Sequence, residues 1–308
     1  MKLKEAESLS KNAFHLVVLI ALVLLILGLV TWLGVIRCSL IPGWCNIYYG
    51  ALGEPRILIV YGDDGLGSPQ KLYEYLRDPR TVSADVQIRH MQSLNVENLK
   101  RFNLVIVEKA KTMSTDQMKM FIDYADAGGK IIWTADAGTA LAPGDEQLKK
   151  SDIFVDGSDE LIGVWARKGT STRNFGLIIN LENTISVHFE GNYCEKNSCT
   201  SNDRAGKLIP IDSDHFLVYG IRSDLTYFGD FSVVSDVKGV GTQKIMDIDT
   251  DRPVKINDKS LGENHPIILS SGLFSQKVFY YAVPIEQLIT EPNNYSEFIR
   301  NLYYGILY

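Results

Sequence analysis

The chain has 308 residues, a net charge of −6 and 45% hydrophobic residues, the composition of a globular protein that carries one apolar excess. No run of Lys or Arg is long enough to leave a nucleic-acid footprint, so nucleic acid is excluded as a partner. The length beyond residue 55, about 250 residues, is sufficient for one large domain.

The excess lies at the start. Leu16–Ile36, LVVLIALVLLILGLVTWLGVI, holds no charge over about 21 positions, enough to cross a hydrocarbon core of roughly 30 Å. We place the spanning helix at 13–36, a short cytoplasmic tail at 1–12 and a juxtamembrane linker at 37–55. A removable signal peptide would have a shorter apolar run followed by a small-residue cleavage site, and Arg37-Cys-Ser-Leu-Ile-Pro42 offers none. Lys2, Lys4 and Lys11 precede the span, whereas only Arg37 and Arg56 follow it closely. This balance predicts a cytoplasmic N-terminus and an extracytoplasmic C-terminal domain in the cell membrane.

The four cysteines support that orientation. All follow the span, as Cys38 with Cys45 and Cys194 with Cys199, the short separations of local disulfides in an oxidising compartment. A zinc site is the sharper alternative, but C-x6-C and C-x4-C are not knuckle spacings and no histidine adjoins them. Free thiols are the plain alternative. Asn294-Tyr-Ser296 fits a glycosylation acceptor, accessible if the domain lies outside.

Past the linker, in which Trp44, Tyr48 and Tyr49 suit a membrane interface, Arg56–Tyr61 reads as a buried parallel strand. Gly62–Gly67 follows, and then a helix with Ser68 as N-cap and Pro69 in its first turn. Strands are expected at Ala84–Ile88, Leu104–Val107 and Lys130–Thr134. A connecting helix or turn falls at Leu94–Leu99, and a helix capped by Ser114 runs to about Ala127, closed by Gly128-Gly129. The alternation predicts βαβ units: an α/β, flavodoxin-like parallel sheet with helices on both faces. From 152 to 262 the pattern becomes a β-rich insertion with short runs at Leu177–Ile179, Ser186–Phe189, Phe216–Tyr219 and Phe231–Val234. Lys277–Val283 is a late strand, broken by Pro284 and followed by a helix from about Tyr295 to Tyr304. The domain thus spans 56–308.

The segments ILIVYGDDG (57–65), NLVIVEKA (103–110), ADAGGKIIW (125–133) and KVFYYAVPIE (277–286) resemble the class I glutamine amidotransferase-like superfamily. The likeness is greatest to its non-amidotransferase members: trehalose-utilisation-like proteins, trimerisation domains of some β-galactosidases and a non-catalytic oligosaccharyltransferase subunit. Active members of that family carry a Gly-x-Cys-x-Gly turn after the strand matching Lys130–Thr134, and a later His-Pro-Glu. Here the turn reads Ala135-Asp136-Ala137-Gly138, and the late motif Val283-Pro284-Ile285-Glu286. The resemblance therefore implies a domain without the glutaminase pair, acting in binding or assembly of a membrane or surface complex. The expected partners are the bilayer, through 13–36, and a protein or a glycan.

The rival expectation is an extracytoplasmic hydrolase or carbohydrate-active enzyme. It would use Asp63, Asp64 and Asp136, all at the C-terminal ends of expected strands, with His265. Capping explains these acids equally well, and no metal or cofactor is called for. Asp247-Ile-Asp-Thr-Asp251 has the opening spacing of a calcium loop, but Arg252 replaces its glycine, and a solvated turn is expected. Asp212-Ser-Asp-His215 is read as loop capping.

Overall fold

The computed structural model describes residues 2–33, 35–36, 38–82, 84–145, 154–155, 161–162, 164–167, 169–170, 172–174, 177–197, 199–200, 203–222, 224–236, 241–256, 259–272 and 277–307. The chain divides into two compact units, Met1–Glu54 and Pro55–Leu307. Asp152, where the β-rich segment is expected to begin, lies outside the described residues.

In the first unit one helix runs over Lys2–Trp32. Its Ala13–Trp32 stretch has a mean hydropathy of 3.1 and no buried share, long and apolar enough to cross a membrane by length and composition. The segment read as a linker is largely structured: a 3-10 turn at Cys38–Leu40 and a helix at Trp44–Leu52. A Cys38–Cys45 disulfide ties the two. Trp44 is buried, and its indole N–H donates to Thr31 Oγ1 at 2.9 Å, fixing this helical turn to the end of the long helix.

The second unit is built on a nine-stranded sheet. In chain order its strands are β1 Arg56–Tyr61, β2 Asp85–His90, β3 Leu104–Glu108, β4 Ile131–Thr134, β5 Arg204–Pro210, β6 Leu225–Phe228, β7 Gln243–Ile256, β8 Lys259–Ser271 and β9 Val278–Tyr281. Their spatial order is β6-β5-β7-β8-β9-β4-β3-β1-β2. The strands β2, β1, β3, β4 and β9 are parallel, with Ile57 paired to both Val86 and Leu104. From β9 outward every pairing is antiparallel. Ile57, Leu58, Ile59 and Val60 have no exposed surface, because helices cover both faces of the parallel half. Each such side chain contributes about 1.5–3 kcal/mol by leaving water.

Local chemistry explains the helices. Thr115–Asp126 starts with a full capping box, Gln117 N–H donating to Ser114 Oγ at 3.2 Å and Ser114 N–H to Gln117 Oε1 at 2.8 Å. It buries Met118, Phe121, Ile122 and Tyr124. The chain then needs Gly129, since a Cβ there would strike the Tyr124 ring.

The β-rich region departs from expectation in its form. Its strands β5 to β8 are the antiparallel continuation of the main sheet, with β9 returning between β8 and β4. Phe216–Tyr219, expected as a strand, is a chain of turns, His215 N–H reaching Asp212 O at 3.1 Å and Val218 N–H reaching His215 O at 3.0 Å. Asp247–Asp251, expected as a turn, lies inside β7, whose ladder to β5 and β8 holds the backbone extended. An extended strand cannot wrap a cation as a calcium loop does.

Candidate functional site

The five parallel strands run in the order β2-β1-β3-β4-β9, so chain direction across the sheet reverses beside β1 and β3. In open α/β sheets that switch point, at the C-terminal strand ends, is where ligands are usually placed. Gly62–Gly67 leaves β1 here and is sewn to the segment following β3. Gly62 N–H donates to Lys109 O at 3.0 Å, Lys109 N–H to Leu66 O at 3.1 Å, and Lys111 N–H to Asp64 O at 2.9 Å.

The three aspartates stand at this edge, but each is turned to its own donors. Asp64 accepts from Thr112 N–H at 2.8 Å and from Thr112 Oγ1 at 2.6 Å. Asp136, 2% exposed, accepts from Leu66 N–H at 2.9 Å and Asn192 Nδ2 at 3.0 Å, with Lys111 Nζ at 3.7 Å. Asp63 faces solvent, its side chain 84% exposed, and meets His90 Nε2 at 3.2 Å. His265 lies on β8 in the antiparallel half, where its Nε2 faces Gly262 O at 3.2 Å and burial lowers its pKa. Among the described residues no group of three or more His, Cys, Asp or Glu side chains is arranged to hold a metal ion. His215 caps its own turn, its Nδ1 accepting from Leu217 N–H at 3.2 Å.

The elbow after β4 keeps a strained backbone without a nucleophile. Ala135 has φ +47°, a left-handed conformation that a non-glycine residue adopts at a cost. Its N–H donates to Tyr281 O at 2.7 Å, and the Tyr280 hydroxyl donates to its carbonyl at 3.1 Å. The residue is fully buried and ends in a methyl group. Beside it Ser232 Oγ donates to Asn192 Oδ1 at 2.9 Å, and Asn192 in turn donates to Asp136, so the elbow is wrapped in a closed polar network. Val283 and Ile285, which flank Pro284 in the late motif, are also fully buried. Acyl transfer needs a nucleophile and a base in reach of substrate, and neither position supplies one.

Two other acids meet at the same edge. Glu108 ends the otherwise apolar β3, and Glu286 lies in the first turn of the helix Ile285–Ile289; both are buried, at 0% and 2% exposure. Their Oε1 atoms converge on one donor, Ser68 N–H, at 2.9 Å from Glu108 and 2.6 Å from Glu286. Ser68 does occupy the N-cap of Pro69–Arg77, but its hydroxyl makes no capping bond. Gly67 is required here: its φ is +124°, and a Cβ would lie 2.5 Å from Glu108 Oε1. Burial, and then the charge and hydrogen bond of Glu286, push the Glu108 carboxyl well above the ordinary carboxylate range. Both acids lie within the segments NLVIVEKA and KVFYYAVPIE, where no local pattern gives either a role. The available signal was a carboxylate ending a strand, LVIVE, that is otherwise wholly apolar.

All four cysteines are paired, as Cys38–Cys45 and Cys194–Cys199. Asn294 is exposed in a turn with φ +56°, after the helix Ile285–Ile289.

No protein-family model matches the sequence, and no curated protein does. Solved structures match by shape. A ThuA-like protein from Bacteroides uniformis superposes with a TM-score of 0.53 at 11% identity, over 82% of this chain and 92% of the other. The cold-adapted β-galactosidase from Rahnella sp. R3 gives 0.51 at 12% identity over 82% of this chain, and that of Bacillus circulans sp. alkalophilus 0.50 at 10% over 83%. The chain matches about a third of each galactosidase, 31% and 32% of their lengths. The likeness is one of architecture alone: the chain shares its α/β fold with the ThuA-like protein.

Proposed function

We propose that the chain is a single-pass membrane protein that presents a catalytically silent amidotransferase-like domain outside the cytoplasm, where it acts in binding or assembly of a membrane or surface complex. The observation that carries this reading is the elbow: Ala135 keeps the strained turn, yet it is buried and has no nucleophile. The helix Ala13–Trp32 supports the anchor, and Lys2, Lys4 and Lys11 on its N-terminal side support a cytoplasmic N-terminus. The two disulfides fit an oxidising compartment. A protein neighbour in the membrane is the first partner to seek, and a surface glycan the second. The placement of Asp63, Asp64 and Asp136 on separate donors lends nothing to the hydrolase reading.

The test uses the full chain in its own membranes. Expected are resistance to alkaline extraction, digestion of the domain by protease added to sealed cells, and a discrete crosslinked complex. Release by alkaline washing, protection of the domain from external protease, or recovery of the chain alone after crosslinking would each overturn the corresponding part.

A further inference from the structure

We propose that Glu108 and Glu286 form a proton-dependent latch that pins the end of the Gly62–Gly67 loop at the sheet's switch point while one proton is held between the two carboxyl groups. Its basis is a donor shortage. Two buried carboxyl groups present four oxygens, and Ser68 N–H reaches only the two Oε1 atoms. Glu108 Oε2 and Glu286 Oε2 are both buried, with no donor of their own. Because both Oε1 atoms sit on the same N–H, the two carboxyl groups lie side by side. Buried polar atoms are almost always paired, and a proton on Glu108 supplies the missing donor, replacing two facing anions with an O–H···O bond.

The surrounding groups leave the proton as the remaining source of compensation. Lys109, following β3, is the cation that acts on Glu108, and it pulls weakly against burial. From the β6 side, Tyr227 donates to Gln287 Oε1 at 2.7 Å and is uncharged, its own pKa raised well above the ordinary range by burial and then by Asp230 and Glu286. Asp230 is itself an acid, with its pKa raised by burial. On the loop, Asp136 accepts from Leu66 N–H, two residues before Ser68. Lys111 lies beside Asp136, and Lys109 is the cation that acts on Glu108, so burial and the facing Glu286 carboxyl are what resist a second negative charge on the pair.

The latch works through the loop. Ser68 N–H ties the pair to the start of the helix Pro69–Arg77, and Gly67 packs against Glu108. Losing the shared proton places two charges on one N–H and forces the acids apart, loosening Gly67 and Ser68 while the bonds of Gly62, Asp64 and Leu66 keep the rest of the loop at the edge. A carboxyl group with a raised folded-state pKa stabilises the fold fully below its unfolded value, near 4.5. That stabilisation is lost as pH rises toward the folded-state value.

The experiment compares the full chain in detergent with Glu108→Gln, whose amide can accept from Ser68 and donate to Glu286 at every pH. Relative to this variant, the wild-type folding constant is expected to fall about tenfold per pH unit above pH ~4.5 until the pair ionises. Deuterium uptake at Gly67 and Ser68 should rise with pH, beyond the chemical rate, in the wild type alone. Infrared spectra of wild type at neutral pH should show a protonated buried carboxyl band that shifts on 13C-Glu labelling and disappears in the variant. Glu286→Gln serves as the second variant should Glu108→Gln not fold. Absence of that band from wild type, or pH-independent differences between wild type and the folded variant, would overturn the latch.

Discussion

Two sets of carboxylates share the C-terminal edge of the sheet, and they hold the same loop by opposite means. Asp64 and Asp136 are matched to donors: Thr112 twice for the first, Leu66 N–H and Asn192 for the second. Glu108 and Glu286 are mismatched, with one shared donor and two buried oxygens left over. A matched carboxylate supports the loop when ionised, whereas a mismatched pair supports it only while a proton remains. The edge therefore combines a permanent clasp with one that depends on pH.

The largest effect is expected at Asp136. Asp136→Ala removes the acceptor for a loop amide and for a buried side-chain amide, both then left without a partner. We expect a loss of about 3 kcal/mol in urea unfolding of the full chain, at pH 7 and pH 9 alike. Glu108→Ala should cost about 2 kcal/mol near pH 5, where it opens a cavity and removes the shared proton. The penalty should shrink as pH rises, because the wild type loses its own proton while the variant has one acid fewer to ionise. The contrast between a flat and a falling penalty across pH separates the two kinds of clasp.

The parallel half of the fold could be read from the residues because its signals are local. Arg56–Tyr61 is a continuous apolar run, Ser68-Pro69 announces a helix, and Ser114 with Gln117 announces another. The antiparallel half was harder, because β7 and β8 pack only part of their length. QKIMDIDTDRPVKI alternates between buried and exposed positions toward its end, and KSLGENHPIILSS is exposed until His265, so their pattern is diluted by polar residues. Phe216–Tyr219 failed in the opposite direction: its apolar residues fill space around turns, as Phe216 does against Gly305. The site was partly legible. The missing thiol at Ala135 is a fact of sequence, but its φ of +47° and its burial are not. The Glu108–Glu286 pair joins acids far apart in the chain, and nothing local announces such a meeting.

The smaller effects test whether placement at the edge matters without partners. Asp64→Ala should cost about 1–2 kcal/mol, since Thr112, half-buried at the start of the short strand Thr112–Met113, loses an acceptor for both its N–H and its hydroxyl. Asp63→Ala, one residue earlier, should change stability by less than about 0.5 kcal/mol, because its carboxylate is 84% exposed and its contact with His90 is screened by water. The two acids are adjacent in sequence and identical in chemistry, so the pair of substitutions isolates the contribution of the donors. Equal losses at the two positions would show that charge at the switch point matters more than hydrogen bonding. A loss at Asp63 larger than at Asp64, measured by the same urea titration, would assign Asp63 a role that its partners in the fold do not explain.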